Sequence, residues 1–149
     1  MTDSHKTDAY QITWLVRRLF RAMGDKADSY LKPLGITAAD RAILEFLYPD
    51  KVLTVPEIAR RYNVSRQHVQ ATVNPLLESG LLKQRANPAH KRSVHIALTA
   101  AGRRLFDKIR EKDRRAIDAL FAGVSAAGQQ HTRRTLEKLL ERLEEGEMS

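Results

Sequence analysis

The chain has 149 residues, one domain's worth, and 42% of them are hydrophobic, which excludes a disordered chain and allows a real core. A net charge of +8 and a pI of about 10.0 favour a polyanionic partner, nucleic acid first and an anionic membrane surface second, with plain solubility as the bland alternative. With no cysteine, disulfides, thiol redox sensing and Cys-ligated zinc are all excluded.

Apolar residues at Ile12, Leu15, Val16, Leu19, Phe20, Met23, Ala27, Tyr30, Leu31 and Leu34 form a helical stripe, predicting one helix of roughly 25 residues that Pro33 and Gly35 end. Its length suggests that it packs against more than its own core. Thr37 and Asp40 form a capping pair for a second helix with Ile43, Leu44, Leu47 and Tyr48 inward, stopped by Pro49 and Asp50. Thr54 and Glu57 form a clearer capping box, with Pro56 tolerated in the first turn, so a short third helix runs from Val55 to Tyr62. Asn63 and Val64 turn the chain, and Ser65 caps a fourth helix, Arg66 to Ser79, closed by Gly80. So short a connection forces a sharp crossing of the two helices.

On the fourth helix Val69, Val73, Leu76 and Leu77 share the buried face. Gln67, Ala71 and Asn74 lie opposite, flanked by His68 and Gln70. Pro75 should kink or loosen the last turn. Residues 81–86 and 93–98 read as strands, joined by a loop from Asn87 to Arg92 that is rich in turn formers and basic residues. Thr99 caps a fifth helix from Ala100 to about Val124. Its middle, Arg110 to Arg115, is polar all round and reads as a solvated spine. Gly123 and Gly128 should each break the chain. A last helix carries Leu136, Leu139, Leu140 and Leu143 on one stripe.

Positive charge gathers where this grammar of helix, turn, helix, strand, loop, strand is densest. From Thr54 to His95 the bases are Arg60, Arg61, Arg66, Lys83, Arg85, Lys91 and Arg92, against Glu57 and Glu78 alone. A merely soluble protein has no reason for that placement.

The order of these pieces resembles the MarR family of bacterial transcriptional regulators across nearly the whole chain. The matching segments are LGIT (Leu34 to Thr37), TVPEIARRYNVSRQHVQ (Thr54 to Gln70), LLESGLL (Leu76 to Leu82), NPAHKRS (Asn87 to Ser93) and LTAAGRRLF (Leu98 to Phe106). Many members carry a D-P-x-D-R-R wing; here Asn87 and His90 stand where acids often do, and Lys91 where an Arg often does. Pro75 replaces a usual charged residue, so no phosphate contact is carried over to it.

The resemblance implies a mainly α fold with a small β-hairpin wing. Residues 1–149 are then a single domain, with a winged-helix lobe over 37–99 and dimerisation helices over 8–33 and 100–145. It further implies a homodimer on near-palindromic double-stranded DNA, usually a repressor. Many members release DNA when a small aromatic or phenolic effector binds; by analogy Trp14, Arg17, Tyr30 and Arg41 line that pocket, the alternative being that Trp14 and Tyr30 are core or dimer contacts.

Charge and geometry then assign roles. Gln67, His68, Gln70 and Asn74 meet base edges in the major groove. Ser65, the helix N-terminus behind it and Arg66 meet phosphate. On the wing, Lys91 and Arg92, with Arg85, Asn87 and His90 beside them, approach the minor groove or its phosphates. A rival reading is a sequence-indifferent architectural protein. An enzyme is disfavoured, because the five histidines are scattered and no nucleophile elbow, P-loop or dinucleotide fingerprint occurs. No metal or cofactor is expected. No apolar run reaches the roughly 18 residues that a membrane span needs, and the polar opening does not resemble a signal peptide. The expected location is the cytoplasm.

Overall fold

The computed structural model describes residues 6–90 and 92–146. They fall into two compact units, residues 1–113 and 114–149. The fold is mainly helical with one small antiparallel sheet, the winged-helix arrangement that the sequence implies.

Helix α1 spans Asp8–Leu31, and its N-cap Thr7 accepts from the Tyr10 amide. A 3-10 turn, Lys32–Leu34, follows, and Gly35 closes it at φ 72°, a left-handed conformation that glycine adopts without strain. Only the C-terminal end of α1 joins the core, through buried Leu31 with Ala27 and Tyr30 against it. The rest of its apolar stripe faces outward.

Helix α2 spans Ala38–Leu47 behind the full Thr37–Asp40 capping box. Tyr48 caps the end of the helix and, half-buried, still packs against the core: its ring lies 4.9 Å from Phe106 and its hydroxyl donates to Asp107 at 2.5 Å. Strand β1, Leu53–Thr54, is an element that the sequence did not announce, because two residues carry no period. It pairs Leu53 with Ile96 and Thr54 with His95. Helix α3 spans Val55–Tyr62 and α4 spans Arg66–Glu78. Thr54 caps α3 by accepting from the Glu57 amide at 3.3 Å.

Pro75 neither stops nor splits α4. The helix continues to Glu78, and the Ser79 amide donates to the Pro75 carbonyl at 2.9 Å. The bond that Pro75 cannot make would have gone to Ala71, on the exposed face, where water can satisfy that carbonyl.

Strands β2 (Leu82–Arg85) and β3 (His95–Leu98) complete a sheet of order β1-β3-β2. Leu82 and Leu98 face each other and are buried, as is Ile96. The core of the first unit therefore joins Ile43, Leu44 and Leu47 of α2, Ile58 of α3, Val69 and Val73 of α4, and Ile96 of the sheet. Phe106 and Ile109 of α5 close it from the far side of the sequence.

Helix α5, Ala100–Leu120, ends before the expected Val124, because Phe121 to Val124 form a turn with Gly123 at φ 82°. Helix α6 spans Ala126–Glu144. Gly128 does not break the chain: it sits in the first turn of α6, where its amide donates to the hydroxyl of the N-cap Ser125 at 3.0 Å. No helix among the described residues is long and apolar enough to cross a membrane.

Candidate nucleic-acid interface

The crossing of α3 and α4 is set by one residue. Asn63 takes the left-handed conformation, φ 56°, and its amide bonds back to the last turn of α3. Asn is among the residues that tolerate this region. The Val64 amide then returns to the Ala59 carbonyl at 3.1 Å. Ser65 accepts from the His68 amide at 3.0 Å, which starts α4 with no acid in its first turn. The free amides of that turn and the Arg66 guanidinium thus form one cationic end.

Burying Val69 and Val73 fixes the rotation of α4 and turns Arg66, Gln67, Gln70 and Asn74 outward; all four are exposed. His68 is exposed as well, but its ring lies 6.4 Å from that of Tyr62, on the α3 flank. Gln70 and Asn74 are bonded to each other, the Gln70 amide nitrogen donating to the Asn74 oxygen at 2.7 Å.

The wing tip is built by hydrogen bonds. Asn87 accepts from the Ala89 amide through its side chain at 3.1 Å and from the His90 amide through its carbonyl at 3.2 Å. This Asx turn occupies the side-chain oxygen of Asn87, which sequence reasoning offered to DNA. The Ser93 amide returns to the His90 carbonyl at 3.4 Å. Arg85 at the end of β2, opposite His95, is exposed, as are His90 and Arg92. Lys91 lies outside the described residues.

The two halves meet in one cleft of about 350 Å3, lined by Val55, Pro56, Arg66, Gln67, Gln70, Arg92, Ser93 and Val94. It is open and carries a guanidinium on each side, one from the start of α4 and one from the wing. Amide side chains lie between them, and among the lining residues there is no acid. A cleft of one sign focuses its field, and here the field attracts an anion.

The junction behind this face carries residues that the sequence reading used only as a cap. The Thr99 hydroxyl donates to the Gly80 carbonyl at 2.6 Å and accepts from the Gly102 amide at 3.0 Å; the Thr99 amide donates to the Leu81 carbonyl at 3.1 Å. The end of α4, the start of β2 and the start of α5 are thereby tied at one point.

The four effector-pocket candidates do not gather within one chain. Trp14 is exposed, with the Arg18 guanidinium 4.5 Å from its ring centre, beside a hollow shared with Tyr10, Gln11 and Leu15. Arg17, one turn further, is exposed too. Tyr30 lies on the same helix about 24 Å further along its axis. It donates to Asp113, and so does Arg41, at 2.5 Å. The polar middle of α5 is therefore not all solvated, since the Asp113 side chain is only 16% exposed. Tyr30 and Arg41 drew it in: a carboxylate with a phenol and a guanidinium as donors is satisfied on leaving water.

Burial and the neighbouring Asp113 carboxylate hold the Tyr30 phenol above its ordinary value of 10.0. A raised folded value favours the neutral phenol, so this contribution to stability is complete below about pH 10 and fades as pH rises beyond it. Asp113→Ala should cost about 1–2 kcal/mol in chemical denaturation, the range for a charged hydrogen bond discounted for partial exposure. Tyr30→Phe should flatten the loss of stability above pH 10; an unchanged alkaline limb would show that the phenol does not titrate with folding.

Among the described residues no cluster of three or more His, Asp or Glu is placed to hold a metal ion.

A family model described as "MarR family" matches residues 34–93. An uncharacterized protein of Mycobacterium tuberculosis is 33% identical over 133 residues, spanning 89% of this chain and 87% of the relative. A protein of the same organism named an HTH-type transcriptional repressor is 28% identical over 132 residues, spanning 89% and 95%. Among solved structures, that of a MarR family transcription regulator superposes with a TM-score of 0.89 at 24% identity over 98% of both chains. A mutant Escherichia coli MarR complexed with operator DNA gives 0.77 at 21% identity over 93% of this chain and 99% of that one.

Proposed function

This chain belongs to the MarR family, whose members are transcription regulators rather than enzymes, and from that premise we propose that it represses transcription as a homodimer on a near-palindromic operator. The observation that carries the proposal is the shared cleft in which Arg66, Gln67 and Gln70 of α4 face Arg92 of the wing. A helix in the major groove with a cationic hairpin at the flanking backbone needs that juxtaposition. The E. coli relative whose structure includes operator DNA has the same fold, and a relative of similar length is named a repressor.

Two apolar surfaces support the homodimer. In the first unit the α1 stripe is exposed, with Phe20 82% accessible. In the second unit Leu136, Leu139, Leu140 and Leu143 of α6 are all exposed. Stripes of this kind on a monomer mark an interface, and a two-fold dimer covers both copies of each at once. A small aromatic or phenolic effector, differing in affinity between the DNA-competent and released states, completes the switch in this reading. Its place is the cytoplasm, with the DNA.

The competing reading, a sequence-indifferent architectural protein, makes the opposite prediction about discrimination. A duplex recovered by selection from a random pool should bind the wild-type dimer at least about 10³-fold more tightly than unselected duplex. A ratio near one, or a single subunit at working concentration in sedimentation equilibrium, would refute the proposal.

A further inference from the structure

The bond between Gln70 and Asn74 points to a division of labour on the recognition helix. Both side chains are exposed, one turn apart, on the face that also carries Gln67. Exposed glutamine side chains ordinarily sample many rotamers. Here the Gln70 nitrogen donates to the Asn74 oxygen at 2.7 Å, while Gln70 also lines the cleft with Arg66, Gln67 and Arg92. A primary amide nitrogen carries two hydrogens, and donation to Asn74 through the one trans to the Gln70 oxygen leaves the other beside that oxygen. That remaining edge, one acceptor next to one donor, complements the N6 amino group and N7 of adenine in the major groove.

We infer that Gln70 is a specificity-determining residue for an A·T pair and that Asn74 is its positioning residue, holding the Gln70 amide with its adenine-reading edge toward the duplex. The inference rests on the reading of α4 as the base-reading helix. Asn74 contributes mainly through Gln70 and does not read a separate base.

Binding of the selected duplex, and of variants substituted one base pair at a time, tests this with the full-length dimer carrying Gln70→Ala, Asn74→Ala, both, or Asn74→Asp. Gln70→Ala should lower discrimination at one A·T pair by about 5- to 150-fold, the range for a bidentate contact. Asn74→Ala should lower discrimination at that same pair, and the double variant should be no worse than Gln70→Ala. Asn74→Asp keeps the acceptor, so it should preserve discrimination while its charge weakens binding to every duplex alike. A loss at two different base pairs with multiplying effects, or an Asn74→Ala variant that discriminates like wild type, would overturn the inference while leaving the helix as reader. A wild-type protein that discriminates at no position would overturn both.

Discussion

Gly102→Ala is expected to cost about 3 kcal/mol of stability and lower Tm by about 10 °C, placing it among the most damaging single-methyl changes in this chain. A Cβ at position 102 would run into the Leu81 carbonyl oxygen and lie 3.2 Å from Cδ2 of Leu98. The obstacle is backbone, so no rotamer change relieves it. That carbonyl also accepts from the Thr99 amide, and the Gly102 amide donates to the Thr99 hydroxyl. Backing α5 away therefore breaks the junction that fixes the wing relative to α4. Gly24→Ala is the matched control: it lies within α1 with nothing near its missing Cβ, and alanine should stabilise the helix by about 0.5–1 kcal/mol. Thermal unfolding of both variants checks the pair, and equal stability in the two would refute the close approach.

Raising salt from 50 to 200 mM should weaken binding to the selected duplex by about 10³–10⁵, the loss for a protein that neutralises roughly 6–10 phosphates. Arg66, Arg85 and Arg92 are exposed on α4, β2 and the loop before β3, the elements proposed to meet the duplex, and the proposed dimer would present each twice. Removing Arg92 from both copies should make the slope of log affinity against log salt shallower by about two. Fluorescence anisotropy titrations across the salt range measure it. A slope near zero would mean that the cationic cleft does not face phosphate.

Long-period features were legible in the sequence. The helix-turn-helix followed from caps at Thr54 and Ser65 and from the spacing of Val69 and Val73, and α4 was placed nearly to its last residue. Features fixed by distant partners were not. β1 exists because β3 runs beside it, and Leu53 and Thr54 alone say nothing of Ile96 and His95. Asp113 looked like one more charge in a polar stretch, because Tyr30 and Arg41 lie 83 and 72 residues away. Gly128 looked like a breaker, yet Ser125 three residues earlier supplied a cap that makes a glycine amide useful there. Pro75 loses its bond to Ala71 on the exposed side, and α4 runs on past it to Glu78.

The division of work between helix and wing is the claim on which the functional account stands. Its direct test is the affinity of Gln67→Ala and Arg92→Ala dimers for the selected duplex and for random duplex, measured side by side. Arg92→Ala should weaken both by the same factor and leave their ratio intact, whereas Gln67→Ala should lower the ratio far more than it lowers general affinity. Two variants that bind both duplexes as the wild type does, or a reversed pattern, would contradict it.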